Sequence, residues 1–319
     1  MQLFLILLGA ALGLTYGQYY YGFIFSQKIC LFAGITLIMP TLFQVKLTDI
    51  KLFVTYKGVL FKGLLVNYIL LPLIALGIGL LTQNYGIAAG LFLLSVLSGG
   101  GMVMHWINKS GADTALGFII LFVNLLFVSL SLLMLHAFGI YTSEFFGESY
   151  LSGVNMSNFA KAVIILLIVI PFVLSRFVML VKPLKEFITA KRSYISKISI
   201  FIIVFYLFGL QSSQQLFEVY DFEPELIYVS IIAVIAFYTA IFILSKLIYN
   251  LESPQERAAF WHSVTRYITL ALVISTFSVA SFGVSMLLPI MFAYIVQIPF
   301  AVLIDKYVFK EGKYIKEEV

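Results

Sequence analysis

The sequence predicts an all-α polytopic membrane protein: ten transmembrane helices in a five-plus-five inverted repeat, with two broken crossing helices, the fourth and the ninth. Three observations carry this. The chain is 62% hydrophobic and only 11% charged, with a mean hydropathy of +1.05, outside the range of soluble globular domains. Apolar segments of the roughly 17 to 25 residues needed to cross a hydrocarbon core of about 30 Å recur from end to end. Two of those segments also carry what an ordinary membrane helix avoids, a run of glycines in one and an arginine in the other. No stretch is long and polar enough to form a separate soluble domain, so 1–319 reads as one membrane domain.

The first span, 3–17, opens with "MQLFLILLGAALGL", which lacks a basic leader and a small-residue cleavage site. It is expected to be a span and not a removed signal peptide. Tyr16 and Tyr19 to Tyr21 follow it as an interfacial aromatic belt. Spans 28–44, 60–82, 86–108 and 114–138 complete a first half, 1–139; spans 160–181, 193–213, 226–248, 258–282 and 285–308 make a second, 158–310. The single cysteine, Cys30, excludes an intrachain disulfide and a paired-cysteine metal site.

Ten spans put both termini on one side, and the charges test that. With cytoplasmic termini, inner segments hold Lys46, Lys51, Lys57 and Lys62, then Lys109, then the six basic residues from Arg176 to Lys197. Lys246, Arg257 and the tail lysines, 306 to 316, bring this to 17 of the 20 basic residues. Lys28 and Lys161 sit at outer span ends, and Arg266 is the exception inside a span. The outer loops instead carry Glu144, Glu148, Glu218, Asp221, Glu223 and Glu225. This alternation is the positive-inside pattern of a plasma (inner) membrane protein with cytoplasmic termini. It also accounts for the net charge of +5, which therefore does not point to nucleic acid.

An odd number of spans per half makes the second half enter inverted, the plan of many secondary transporters. The fourth span of each half is the unusual one. In "LSVLSGGGMVMHWINKSG", Gly99, Gly100 and Gly101 each cost a helix about 1 kcal/mol relative to alanine. An unwound peptide is expected there, tolerated only where it is packed in protein or lines a cavity. The matching span, "AAFWHSVTRYITLALVIS", clusters His262, Ser263, Thr265 and Arg266. Arg266 lies nine residues beyond Arg257, too deep to snorkel, and a central arginine costs about 2.5–3.5 kcal/mol on insertion scales. Two broken helices meeting near the midplane expose helix N-termini and freed carbonyls, which bind anions and cations.

These residues form the candidate substrate site. Asn67, Asn124 and Gln297, single amides in apolar spans, are either interhelical hydrogen-bond formers or contributors to the site. His105 and Asn108 are expected near the cytoplasmic mouth, and His136 reads as structural. Pro72, Pro171, Pro289 and Pro299 are expected to make kinks.

At these residues the chain resembles the bile acid:sodium symporter family and, more distantly, the superfamily with arsenite permeases and auxin efflux carriers. The family's fourth span carries a P-G-G-T-x-S-N-like break followed by a G-D-x-A-L-S-like turn. Here "SGGGMVMHWINKSGADTALG" keeps Gly99, Gly100, Asp113, Ala115 and Leu116. The family's Q-F-x-x-M-P-like third span aligns with "NYILLP", and its E-x-G-x-Q-N-like ninth span with "HSVTRY". The resemblance implies a core bundle (spans 3–5 and 8–10) that moves against a panel (spans 1, 2, 6 and 7). It also implies oxygen ligands for two sodium ions; apart from that ion no cofactor is expected. At the family's sodium-ligand positions, however, His262 stands for the acidic residue, Arg266 for the glutamine and Tyr267 for the asparagine. Val103, Met104 and Gly117 replace further oxygen donors, and Asn67 alone retains one. A hard cation needs oxygen, so the expectation is that Arg266 serves as a built-in cation, with His262 beside it. Sodium held by other positions stays open.

The expected function is secondary active transport of a small organic anion bound near the crossover. The alternatives are a sodium-independent exporter or permease of the arsenite or auxin-carrier type, or a channel-like protein. No phosphate-binding glycine loop points to ATP, and the spans contain no acidic pair or His-Glu motif for intramembrane catalysis. The partners expected are the organic anion and the lipid bilayer. Substrate identity, transport direction and oligomeric state are not legible.

Overall fold

The computed structural model describes residues 2–20, 22–23, 28–33, 35–36, 39, 43, 51–100, 102–150, 165–213 and 224–309. Among the described residues every regular element is a helix, which lets the backbone satisfy itself without water. The surface is greasy, with Phe61, Leu73, Leu81, Ile232 and Ile243 all more than half exposed, while the largely apolar interior also encloses Asn67, His262 and Arg266. So much exposed apolar surface is the mark of a chain solvated by lipid.

The helices run in chain order as follows. In the first half they are α1 (Gln2–Tyr20), α2 (Lys28–Ala33), α3 (Lys57–Leu81), α4 (Tyr85–Val96), α5 (Val103–Lys109), α6 (Thr114–Leu126) and α7 (Val128–Thr142). In the second they are α8 (Ile170–Leu180), α9 (Lys182–Ser213), α10 (Pro224–Ile248), α11 (Pro254–Val264), α12 (Ile268–Phe282) and α13 (Leu287–Ile304). Among the described residues three continuous helices are long and apolar enough to cross a membrane: Lys57–Leu81, Glu225–Ile248 and Val284–Phe309. The α6 and α7 pair, bent by 47°, makes a fourth. The segments expected to be broken are two helices each, α4 with α5 and α11 with α12. Most of 28–44 and the start of 160–181 lie outside the described residues.

Local chemistry sets several ends. Asn84 and Asp113 cap α4 and α6, their side chains accepting from the Ile87 and Leu116 N–H groups at 2.9 Å. Ser253 caps α11 ahead of Pro254 at its first turn. Gly283, at φ +79°, stops α12. Two expectations are corrected. The span at 114–138 is bent at Phe127, whose carbonyl also receives the Ser131 hydroxyl at 3.3 Å; such side-chain competition bends helices. The helix expected from 193 begins at Lys182, eleven residues early.

Packing divides the helices. α1 lies along α9, and α8 and α2 also pack on α9. In a second set α3 packs on α4 and α11, α10 on α13, and α13 on α4 and α12, and the two sets meet where α9 touches α12 and α1 touches α13. Residues that the charge pattern assigns to one side gather at one end of this second group. Lys62 pairs with Glu256 at 2.8 Å, and Lys109 pairs with Asp305. At the opposite end Ser285 donates to Asn84 at 2.8 Å and Tyr85 to the Gly139 carbonyl at 3.1 Å.

Candidate functional site

The two helix breaks pair with each other. Leu97 to Gly100 leave helical conformation, as do Thr265 to Tyr267, and Ser98 faces Arg266 in an antiparallel β-bridge. The Gly99 N–H donates to the carbonyls of Thr265 (2.8 Å) and His262 (3.1 Å), and the Tyr267 N–H to that of Leu97 (2.9 Å). Backbone groups released by one break are thus taken up by the other, as burial demands. Gly99 has φ +71°, and a Cβ on it would lie 2.6 Å from His262 Nδ1. Only glycine meets both conditions. Gly101 lies outside the described residues.

Side chains from the surrounding helices take up the remaining groups. Asn124 Nδ2 donates to Ser98 Oγ at 2.6 Å, and the Ser131 hydroxyl to the Val96 carbonyl at 2.8 Å. Gln297 Oε1 accepts both the Arg266 N–H (2.6 Å) and the Tyr238 hydroxyl (2.8 Å). Ser263 Oγ meets the Tyr249 hydroxyl at 2.9 Å and Asn67 Nδ2 at 3.4 Å. Thr265 returns its hydroxyl to the Trp261 carbonyl. The three amides singled out in the sequence, on three different helices, therefore all act on the crossover.

Arg266 is 1% exposed. Its Nη1 donates to the Ser95 carbonyl (2.8 Å), and its Nη2 to Asn67 Oδ1 (2.5 Å) and the His262 carbonyl (3.1 Å). Among the described residues it forms no ion pair. The cation is held by neutral oxygens alone, two carbonyls and an amide. Asn67 is delivered by a π-helical turn, Val66–Leu70, just ahead of Pro72, which has no N–H to continue the ladder.

His262 is buried, and its Nε2 lies 2.8 Å from the Gly117 carbonyl. A carbonyl only accepts, so Nε2 carries the proton. Neither His262 Nδ1 nor Arg266 Nε has a hydrogen-bond partner among the described residues. Around Gly117 the packing is apolar: a Cβ there would lie 2.7 Å from Ile107 Cδ1 and 3.4 Å from Met104 Cε. Val103 and Met104 are both buried. His105 and Asn108 are exposed on α5, away from the crossover, and His136 Nδ1 meets the Tyr150 hydroxyl at 2.9 Å.

Sequence reasoning missed Ser95, Ser131, Tyr238 and Tyr249. Ser95 contributes a carbonyl, which no residue type reveals; the two tyrosines read as span filler, and their signal is the pairing itself. A cavity of about 350 Å³, lined by Asn84, Glu148, Ser281, Phe282 and Ser285 among others, opens at the far end of α4 and α12. The twelve residues of α4 separate it from the crossover by about 18 Å.

The model of the Sodium Bile acid symporter family matches residues 31–219. No curated protein matches the chain. The matched stretch contains the first helix break with Asn67, Gly99 and Asn124, and ends before the second. Since it covers more than half of the 319 residues, the chain belongs to the sodium bile acid symporter family and is an integral membrane protein of that transporter type.

Proposed function

We propose that this protein is a sodium-independent secondary transporter of a small organic anion, in which Arg266 stands permanently where relatives bind a coupling cation. The observation that carries the reading is the oxygen cage. A guanidinium bonded to two carbonyls and one amide oxygen, without a carboxylate, has the surroundings of a bound hard cation. The residues present do not fit the ion itself. Arginine nitrogens fill one family position, Val103 and Met104 stand buried at two more, and at Gly117 the side chains of Ile107 and Met104 close over the place of a hydroxyl.

In this reading the carrier has ten spans, and both termini lie in the cytoplasm of a cell whose plasma membrane it crosses. The group built on α9 serves as the panel, and the group holding both broken helices as the core. In the proposal the anion binds against the crossover when the two groups part. The unpartnered Arg266 Nε–H is then its donor, and Ser263, Thr265, Gly99, Gly100, Asn124 and Gln297 frame the site. His262, kept as the Nε2–H tautomer, positions the Gly99 turn.

The test is uptake by purified protein in liposomes, offered a panel of radiolabelled aliphatic, aromatic and steroid carboxylates with either sodium or choline outside. The expected result is saturable uptake of at least one carboxylate at equal rates in both media, reduced at least tenfold in Arg266→Gln. Uptake that needs sodium contradicts the proposal. Uptake that does not saturate and runs at channel rates favours the channel-like alternative.

A further inference from the structure

We infer that the amino-terminal end of α9 is a binding surface for anionic phospholipid headgroups. The argument begins with length. A helix of 32 residues is about 48 Å long, whereas a hydrocarbon core is about 30 Å thick. The apolar part of the helix that follows Lys197 is about 25 Å long and takes up most of that core alone, so the segment from Lys182 to Lys197 stands in the headgroup layer.

The chemistry of that segment suits the layer. It reads "KPLKEFITAKRSYISK", five basic residues counting Arg192 and Lys197 against one acid, Glu186. Lys182 and Lys191 are exposed and Lys185 is half-buried, and none of the three forms an ion pair among the described residues. Between them Leu184, Phe187 and Tyr194 are 42%, 59% and 63% exposed. The end of α8, joined to α9 through the extended residue Val181, adds exposed Phe177 and Leu180. The Lys191 and Lys197 ammonium groups each lie 5.8 Å from the Tyr194 ring, a contact that orders them without neutralising them. Exposed cations interleaved with exposed aromatic and aliphatic side chains, at the mouth of a membrane helix, are complementary to phosphates above and acyl chains below. A zwitterionic lipid offers the acyl chains without the net charge.

The full-length protein in detergent is the material for the test. Thermal unfolding is followed with added phosphatidylglycerol or phosphatidylcholine, for wild type, for Lys182→Gln/Lys185→Gln/Lys191→Gln, and for the same positions changed to arginine. Wild type and the arginine variant are expected to melt several degrees higher with phosphatidylglycerol than with phosphatidylcholine. In the glutamine variant that difference is largely lost, as it is for wild type in 1 M salt, where charges are screened beyond about 3 Å. Equal melting of wild type in the two lipids overturns the inference, as does an undiminished shift in the glutamine variant. If the glutamine variant does not fold, a photoreactive phosphatidylglycerol crosslinked to wild type decides. Labels within 182–197 support the surface, and labels elsewhere overturn it.

Discussion

At the scale of single residues, the site rests on a charge and a missing side chain. Three hydrogen bonds from a charged donor, at about 1.5–3 kcal/mol each, are of the same order as the several kcal/mol needed to bury an ion. Arg266 is therefore nearly neutral for stability as a whole, and what it supplies is a fixed positive charge among carbonyls. Removing it is not neutral, because its oxygens then lose their donors. Gly99 is the second determinant. Gly99→Ala places a Cβ against the His262 ring at a positive φ. We predict a loss of roughly 2–3 kcal/mol in stability, from the strain and the contact together, and loss of transport; denaturant unfolding and liposome uptake check both. Both residues were legible in the sequence because each breaks a rule of membrane helices. Ser95 was not, since its role lies in a carbonyl, and Ser131 reads as an ordinary small residue in "FVSLSL".

At the scale of elements, the broken helices were legible from composition, but their mutual pairing was not. Glycines at 99–101 and polar residues at 262–266 say that each helix is interrupted. That Ser98 bridges Arg266 follows only from three-dimensional packing, which also decides that Asn67, Asn124 and Gln297 point at the crossover. The ends of α5 and α11 away from the crossover are fastened by Arg257. It donates to the carbonyls of Ser110 (2.7 Å), Gly111 (3.1 Å), Leu251 (3.0 Å) and Glu252 (3.2 Å), tying the loop after α5 to the start of α11. Trp261 adds a bond from Nε1 to Ser110 Oγ at 2.8 Å. A lysine has no planar fork to span these acceptors. Arg257→Lys is accordingly expected to cost about 3 kcal/mol and to raise hydrogen exchange at 109–113 and 249–256 selectively. Unchanged exchange in those two segments would remove the clamp. The bend at Phe127 and the early start of α9 were hidden for different reasons: one depends on where a serine hydroxyl goes, the other on a charged segment continuing a helix beyond the apolar stretch.

At the scale of the whole molecule, alternation of charge predicts which chain segments share a face, because lysines and arginines are sorted by side. The pairings Lys62 with Glu256 and Lys109 with Asp305 join segments so assigned. The family match takes in the first broken helix and ends before the second, so Arg266 lies outside the matched residues. The account's central claim is that Arg266 replaces a coupling cation. Thermal unfolding of purified protein in sodium against matched choline, for wild type and Arg266→Gln, tests it most directly, since a bound ion stabilises the folded state according to its occupancy. The account predicts that wild type melts at the same temperature in both salts, while Arg266→Gln melts lower in choline and is partly restored by sodium. A wild-type protein that melts higher in sodium would contradict it.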